Sequence, residues 1–169
     1  MTQILPNLSD RISSAVGEAA QRVADQKMLP VDEVHRRGVC RVMTAEILSI
    51  LIENDISAYT DSRRPFKVDE HRYPVIEAEG PDGGTVNEIV VDAAWWQFLP
   101  EGTDTKELPR ALIGTRDEVV AQAAVAGVPP EDLRIWFPAD QYTAEPYLTP
   151  QEIVARAIDA RNGANESIL

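Results

Sequence analysis

One cysteine, two histidines and a scatter of carboxylates are the groups in this 169-residue chain that could carry covalent chemistry. Cys40 follows Gly38 at the head of an apolar stretch, VCRVMTAEILSILIEN; His71 opens HRYPVIEAE; Asp92 ends TVNEIVVD. A thiol attacks only as thiolate, and a helix N-terminus beside an imidazolium stabilises that anion. The imidazole in turn needs a carboxylate or amide to fix its tautomer. Neighbouring strands can hold such a pair side by side, which makes Asp92 the natural partner of His71. Each residue also has a plainer reading. Cys40 shares a helical face with Met43, Ile47 and Leu51, and free cysteine is among the most buried residue types. His71 follows Asp69-Glu70 and precedes Arg72, as a solvated strand end would, and Asp92 could merely terminate a strand. What favours a nucleophilic triad is the order and setting of the three together.

Other chemistry is thinner. A single cysteine excludes an internal disulfide and any zinc site built from several thiolates, and His35 with Glu33 falls short of the usual ligand count, so no metal is expected. Gly83-Gly84 belongs to a turn, and neither a GxxxxGK[ST] nor a GxGxxG pattern occurs, so no phosphate-bearing cofactor is expected either. A net charge of -12 repels a phosphate backbone or an anionic membrane surface. The longest basic cluster, Arg63-Arg64 with Lys67, neighbours Asp61 and Asp69 and reads as a solvated loop. Nucleic acid is therefore not an expected partner, and a basic or neutral substrate suits the acidic surface better. No stretch approaches the ~20 apolar residues of a membrane span. The start, MTQILPNLSDR, lacks the basic and apolar regions of a signal peptide, so a cytoplasmic location is expected.

The elements that must position these groups can be read from periodicity. Length and composition fit one α+β domain over residues 1–169. Residues 9–27 space Ile12, Ala15, Val16, Ala19 and Val23 as a surface helix with Ser9 at its N-cap. Pro30 and VDEVHRRG interrupt the pattern. Residues 39–53 then form a second helix, with Cys40 in its first turn and enough apolar residues to be buried on most sides. The segments 71–79 and 85–91 flank Pro81-Asp82-Gly83-Gly84 as an antiparallel hairpin, in which Pro74 signals an edge or an irregularity. Capping-box spacing at Thr115 to Glu118 and at Thr149 to Glu152 opens two more helices, 115–127 and 150–162, with Gly127 stopping the first. The proline- and aromatic-rich segment between them reads as an ordered connection on the core. The Trp95-Trp96 pair reads as one ring in and one at the surface.

Taken together, GVCRVMTAEILSIL, HRYPVIEAE and IVVDAAWWQFLP resemble the transglutaminase-like branch of the papain-type thiol enzymes, over roughly residues 36–100. That family keeps Cys, His and Asp in this chain order, with a short turn from the aspartate into aromatics. Here the turn is Asp92-Ala93-Ala94-Trp95-Trp96-Gln97-Phe98. Val39 and Arg41 stand where the family commonly places an aromatic beside the cysteine, and His71-Arg72-Tyr73-Pro74 replaces His-Ala-Trp. The resemblance implies a papain-like core: a buried helix carrying the cysteine, packed on an antiparallel sheet and flanked by helices. It also implies a Cys40-His71-Asp92 triad acting without a cofactor on the amide of a protein or peptide, as a glutamine deamidase, a transglutaminase-like acyl transferase or a hydrolase. A thioester would form on Cys40. Its oxyanion would be held by the Cys40 backbone N–H and a second donor, for which Trp96 and Gln97 are the candidates. Two further readings stand beside this one: a catalytically inactive scaffold of the same fold that binds a protein, and an unrelated α+β adaptor in which the triad order is accidental.

Overall fold

Alternation of apolar and polar residues in the middle of the chain builds a sheet, and the helical periodicities on either side supply the layers that cover it. A computed structural model describes residues 6–37, 39–65, 70–80, 83–84, 86–142 and 150–168. The elements run α1 (Pro6–Lys27), α2 (Val31–Arg36), α3 (Cys40–Glu53), β1 (Ala58–Arg63), β2 (His71–Glu79), β3 (Val86–Asp92), β4 (Leu112–Gly114), α4 (Arg116–Ala126), α5 (Pro130–Leu133) and α6 (Pro150–Ile168). Single 3-10 turns cover Trp95–Phe98 and Arg134–Trp136. The protein is thus mixed α+β, with a four-stranded antiparallel sheet in the order β1-β2-β3-β4.

Successive strand residues point to opposite faces, and each face builds its own core. Ile76, Ile89 and Val91 meet α1 and α3 through Ile12, Val16, Met43, Ile47 and Leu51. Tyr73, Val75, Val90 and Leu112 meet the opposite layer, where Trp95, Phe98 and Trp136 join Val119 and Ala123 of α4. Helix α6 packs on α4 and α5, on the side away from α1.

Several elements differ from what periodicity alone suggests. Helix α1 begins at Pro6, which leaves Ser9 inside it rather than at its cap; proline suits a first helical position because its missing N–H has no partner there anyway. The polar run after Pro30 forms the short α2. Helix α3 starts at Cys40 and buries one stripe, not most of its surface: Arg41, Ala45, Ser49 and Ile52 face solvent because α1 and the sheet cover a single side, and Ile52 is 62% exposed. Helix α6 continues to Ile168, past the expected 162, carrying Gly163 within it. Glycine weakens a helix without stopping it. Helix α4 starts with a capping box: the Glu118 N–H donates to Thr115 Oγ1 at 3.3 Å, and the Thr115 N–H donates to Glu118 Oε2 at 2.8 Å. Gly127, with φ 101°, ends that helix in the left-handed region. The second expected cap, Thr149, and the turn residues Pro81 and Asp82 lie outside the described residues. Among the described residues no helix is long and apolar enough to cross a membrane.

Pro74 sits in β2, a central strand, opposite Thr60 of β1. It lacks an N–H for a second ladder, and the pairing of β2 with β3 accordingly stops at Val75↔Val90. From there β3 pairs with β4, Asp92 lying opposite Leu112. The head of β2 is left bonded to β1 alone, with Arg63 opposite His71.

Below this point the second face carries a buried ionic network in place of apolar residues. Arg116 donates to Asp61 Oδ2 at 2.8 Å, to Glu88 Oε2 at 2.6 Å and to the Tyr73 hydroxyl at 3.0 Å. Arg63 joins Asp61 through Nε at 2.9 Å and Nη2 at 2.8 Å. It is 3% exposed, so the solvated-loop reading of this arginine is wrong: its place in β1 turns it inward to a carboxylate two positions back. Breaking a buried pair from one side leaves an uncompensated charge, whereas a half-exposed partner contributes little. Arg116→Ala strips Asp61, Tyr73 and Glu88 of one shared donor, and although Asp61 keeps Arg63 the substitution should lower unfolding stability by about 2 kcal/mol or more. Glu88→Ala, whose carboxylate is 42% exposed, should cost less than about 1 kcal/mol. Urea titrations of the two variants check the ranking, and equal losses would contradict it.

Candidate functional site

Cys40 is the first residue of α3, where the unpaired N–H groups of a helix start favour negative charge. Its side chain lies at the head of β2, with Sγ 3.8 Å from the Glu70 carbonyl. Glu70 itself is clamped: Ser62 Oγ donates to it at 2.6 Å, Arg72 Nε at 2.9 Å, and Arg41 from α3 completes the set. These hydrogen bonds, from Ser62, Arg72 and Arg41 in that order of strength, hold the Glu70 carboxyl down to about 2. The clamp ties α3, β1 and β2 together next to the thiol.

His71 is wholly buried, and its Nε2 lies 2.6 Å from Asp92 Oδ2. Asp92 is 1% exposed and collects two further donors: the indole N–H of Trp136 reaches Oδ2 at 2.8 Å, and the Ala94 N–H reaches Oδ1 at 3.0 Å. The carboxylate is thus held from three sides by donors. Phe98 stands edge-on to the His71 ring at 4.8 Å between centroids, and Trp136 stands edge-on to Phe98 at 5.9 Å. Ring position is therefore set by packing on its flanks and by a hydrogen bond at one nitrogen.

The other nitrogen, Nδ1, faces Cys40 and Gln97. Gln97 Nε2 is 3.0 Å from Nδ1 and 2.9 Å from the Ala94 carbonyl. Burial alone would lower the basicity of His71, but the charge and hydrogen bond of Asp92, followed by those of Cys40, raise it to about 9. Burial alone would raise the Cys40 thiol. The hydrogen bond from His71, the Arg72 backbone N–H and the His71 charge outweigh it and bring the thiol below its ordinary value. Both shifts favour transfer of the thiol proton to the ring, at the nitrogen that the Gln97 amide now faces.

The structure brings Cys40, His71, Asp92 and Gln97 into one cluster. It does not bring Trp96 there, for the Trp96 indole N–H donates to the Pro109 carbonyl at 2.9 Å. Trp95 uses the same carbonyl at 3.2 Å, and both rings are buried, at 0% and 6% exposure, so neither is the surface ring the pair suggests. His35 points elsewhere too. Its Nδ1 donates to the Ala93 carbonyl at 2.6 Å, and the residue helps line a separate cavity of about 340 Å³ between α1, α2 and the segment before β4. Among the described residues no three His, Cys, Asp or Glu side chains are placed to hold a metal ion. Trp136 is the member sequence reasoning missed. Its burial was legible in RIWF, but nothing local tells that its N–H ends on Asp92.

No protein-family model, curated protein or solved structure matches this chain. The site is thus read from its own geometry, which offers a depressed thiol, a raised imidazole and a carboxylate in series.

A free cysteine titrates near about 8.5, and a group whose pKa is depressed ionises at lower pH than that. Iodoacetamide should accordingly modify Cys40 in the folded protein at pH 7 faster than it modifies an ordinary thiol. His71→Ala should move the profile up towards that of an ordinary thiol, and Asp92→Asn should fall between. Mass spectrometry of the alkylated protein across pH reads all three, and labelling that appears only after unfolding would make Cys40 a core residue.

Proposed function

We propose that this protein is a cysteine-dependent acyl-transfer enzyme that acts on an amide, on a papain-like, transglutaminase-like core. The observation that carries the reading is the His71 ring held by Asp92 on Nε2, at 2.6 Å, with the thiol at the start of α3 near enough for each group to shift the ionisation of the other. Cys40 attacks the carbonyl of a carboxamide, for instance a glutamine side chain in a protein or peptide. Its proton passes to His71 Nδ1, and His71 returns it to the leaving nitrogen as the tetrahedral adduct collapses to a thioester. Ammonia or an amine departs, and water or a second amine takes the acyl group from Cys40. Asp92 keeps its charge throughout and orients the ring. The Cys40 backbone N–H and Gln97 hold the oxyanion.

One observation supports a second reading. Cys40 is 5% exposed and His71 is fully buried, as expected of a silent scaffold that serves as a protein-binding module. The readings separate on incubation with glutamine-containing peptides, with and without a primary amine. Released ammonia and an acyl adduct on Cys40 are expected, Cys40→Ala abolishing both and Asp92→Asn lowering kcat/KM by about 100-fold or more. The rate should fall above about pH 9, because His71 must be protonated to expel the leaving amine. Absence of turnover and of any adduct on an amide-directed electrophilic probe would favour the binding module.

A further inference from the structure

Gln97 does something that an oxyanion donor need not do: it occupies the ring nitrogen that the thiol proton must reach. The Ala94 carbonyl fixes which end of the amide lies there. A carbonyl oxygen only accepts, so the group 2.9 Å from it must be the amide nitrogen, and the same nitrogen lies 3.0 Å from His71 Nδ1. Its second hydrogen points at Nδ1, which must then carry a lone pair. The ring proton is left on Nε2, donated to Asp92 at 2.6 Å. The thiol is tied off as well, its S–H directed at the Glu70 carbonyl at 3.8 Å. In these contacts the proton stays on sulfur and Nδ1 keeps its lone pair, and the shifts that favour the ion pair take effect once Gln97 gives up Nδ1.

We propose that Gln97 is a latch on His71, competing with Cys40 for Nδ1 and released as an oxyanion donor when the thiol proton is transferred. The inference rests on the acyl-transfer reading and adds a resting state to it. In the step, the Sγ–H bond breaks, the proton forms Nδ1–H, and the hydrogen bond from Gln97 to Nδ1 is lost. Sulfur takes the electron pair and meets the Arg72 N–H. The freed Gln97 N–H is then available to the oxygen of a carbonyl bonding to Sγ. Groups that bear on the ring from the packed elements are Cys40 from α3, Asp92 from β3 and Tyr73 from its own strand. Arg63 from β1 is paired with Asp61.

The latch makes two effects of one substitution run in opposite directions. Gln97→Met keeps length and removes the donor. Nδ1 then loses a competitor and accepts the thiol proton more readily, so the pH midpoint for iodoacetamide alkylation of Cys40 should fall by about half a unit to one unit. Turnover of a glutamine peptide should drop about 100-fold in kcat, with KM little changed, because the oxyanion donor is gone. Gln97→Asn, an amide one methylene short of Nδ1, should shift alkylation in the same direction, and thermal melts of both variants establish that they are folded. A residue that merely packs the site would slow alkylation and turnover together. An unchanged or raised alkylation midpoint in the folded variants, with His71→Ala still altering it, would overturn the latch and leave the acyl-transfer reading intact. If Cys40 is inert at every pH, or indifferent to His71, both fall.

Discussion

The hydrogen bond between His71 and Asp92 is the interaction on which the rest of this molecule turns. Both groups are removed from water, and a carboxylate so placed costs several kcal/mol unless it is paired and its lone pairs are filled. The chain fills them from three separated places: the ring from the head of β2, the Ala94 N–H from the turn after β3, and the Trp136 N–H from the 3-10 turn after α5. Each donor fixes one coordinate of Asp92. With Nε2 committed to that oxygen, the opposite nitrogen of the ring has a single direction left to face, which is the side of Cys40 and Gln97.

The sheet makes room for this arrangement by ending a ladder early. A central strand would normally bond to neighbours on both sides along its whole length. Pro74 prevents it, and from Val75 upward the link between β2 and β3 passes from backbone to side chains. The head of β2 would be loose if β1 alone held it. The Glu70 clamp answers that need, drawing Arg41 of α3 onto the same carboxylate that Ser62 and Arg72 bind. Because Arg41 follows Cys40 directly, the clamp that steadies the histidine strand also sets the helix start that carries the thiol.

How much of this was legible beforehand follows the range of the interactions. Cys40, His71 and Asp92 could be singled out because each stands where a periodicity changes, and element boundaries are local events. The capping box of α4 and the stop at Gly127 were equally local. Pro74 announced an irregularity without saying which ladder it would end. What escaped depends on residues far apart in the chain: Trp136 reaching Asp92, Arg116 gathering Asp61, Glu88 and Tyr73, and Trp96 turning its N–H to Pro109 instead of the site. Arg63 looked solvated because its neighbours in sequence are charged, yet one of them, Asp61, is the carboxylate that pairs with it in the interior. The uncovered side of α3 escaped for a related reason, since an apolar residue such as Ile52 states a preference and not whether a layer exists to satisfy it.

The two sides of the His71 ring differ in a way that bears on chemistry. On the Nε2 side Asp92, Tyr73, Phe98 and Trp136 are at most 1% exposed, so the electrostatic pairing there acts in a dry, weakly screened setting. On the Nδ1 side Gln97 is only partly buried, and Arg41, next to the thiol, has a side chain 68% exposed. The ionic partner of the ring thus lies on its dry side, and the thiol on the side nearer solvent. The thiol and the Gln97 amide share the Nδ1 side of the ring, so that on the acyl-transfer reading the group that engages the base at rest is the one released to bind the oxygen once attack has begun.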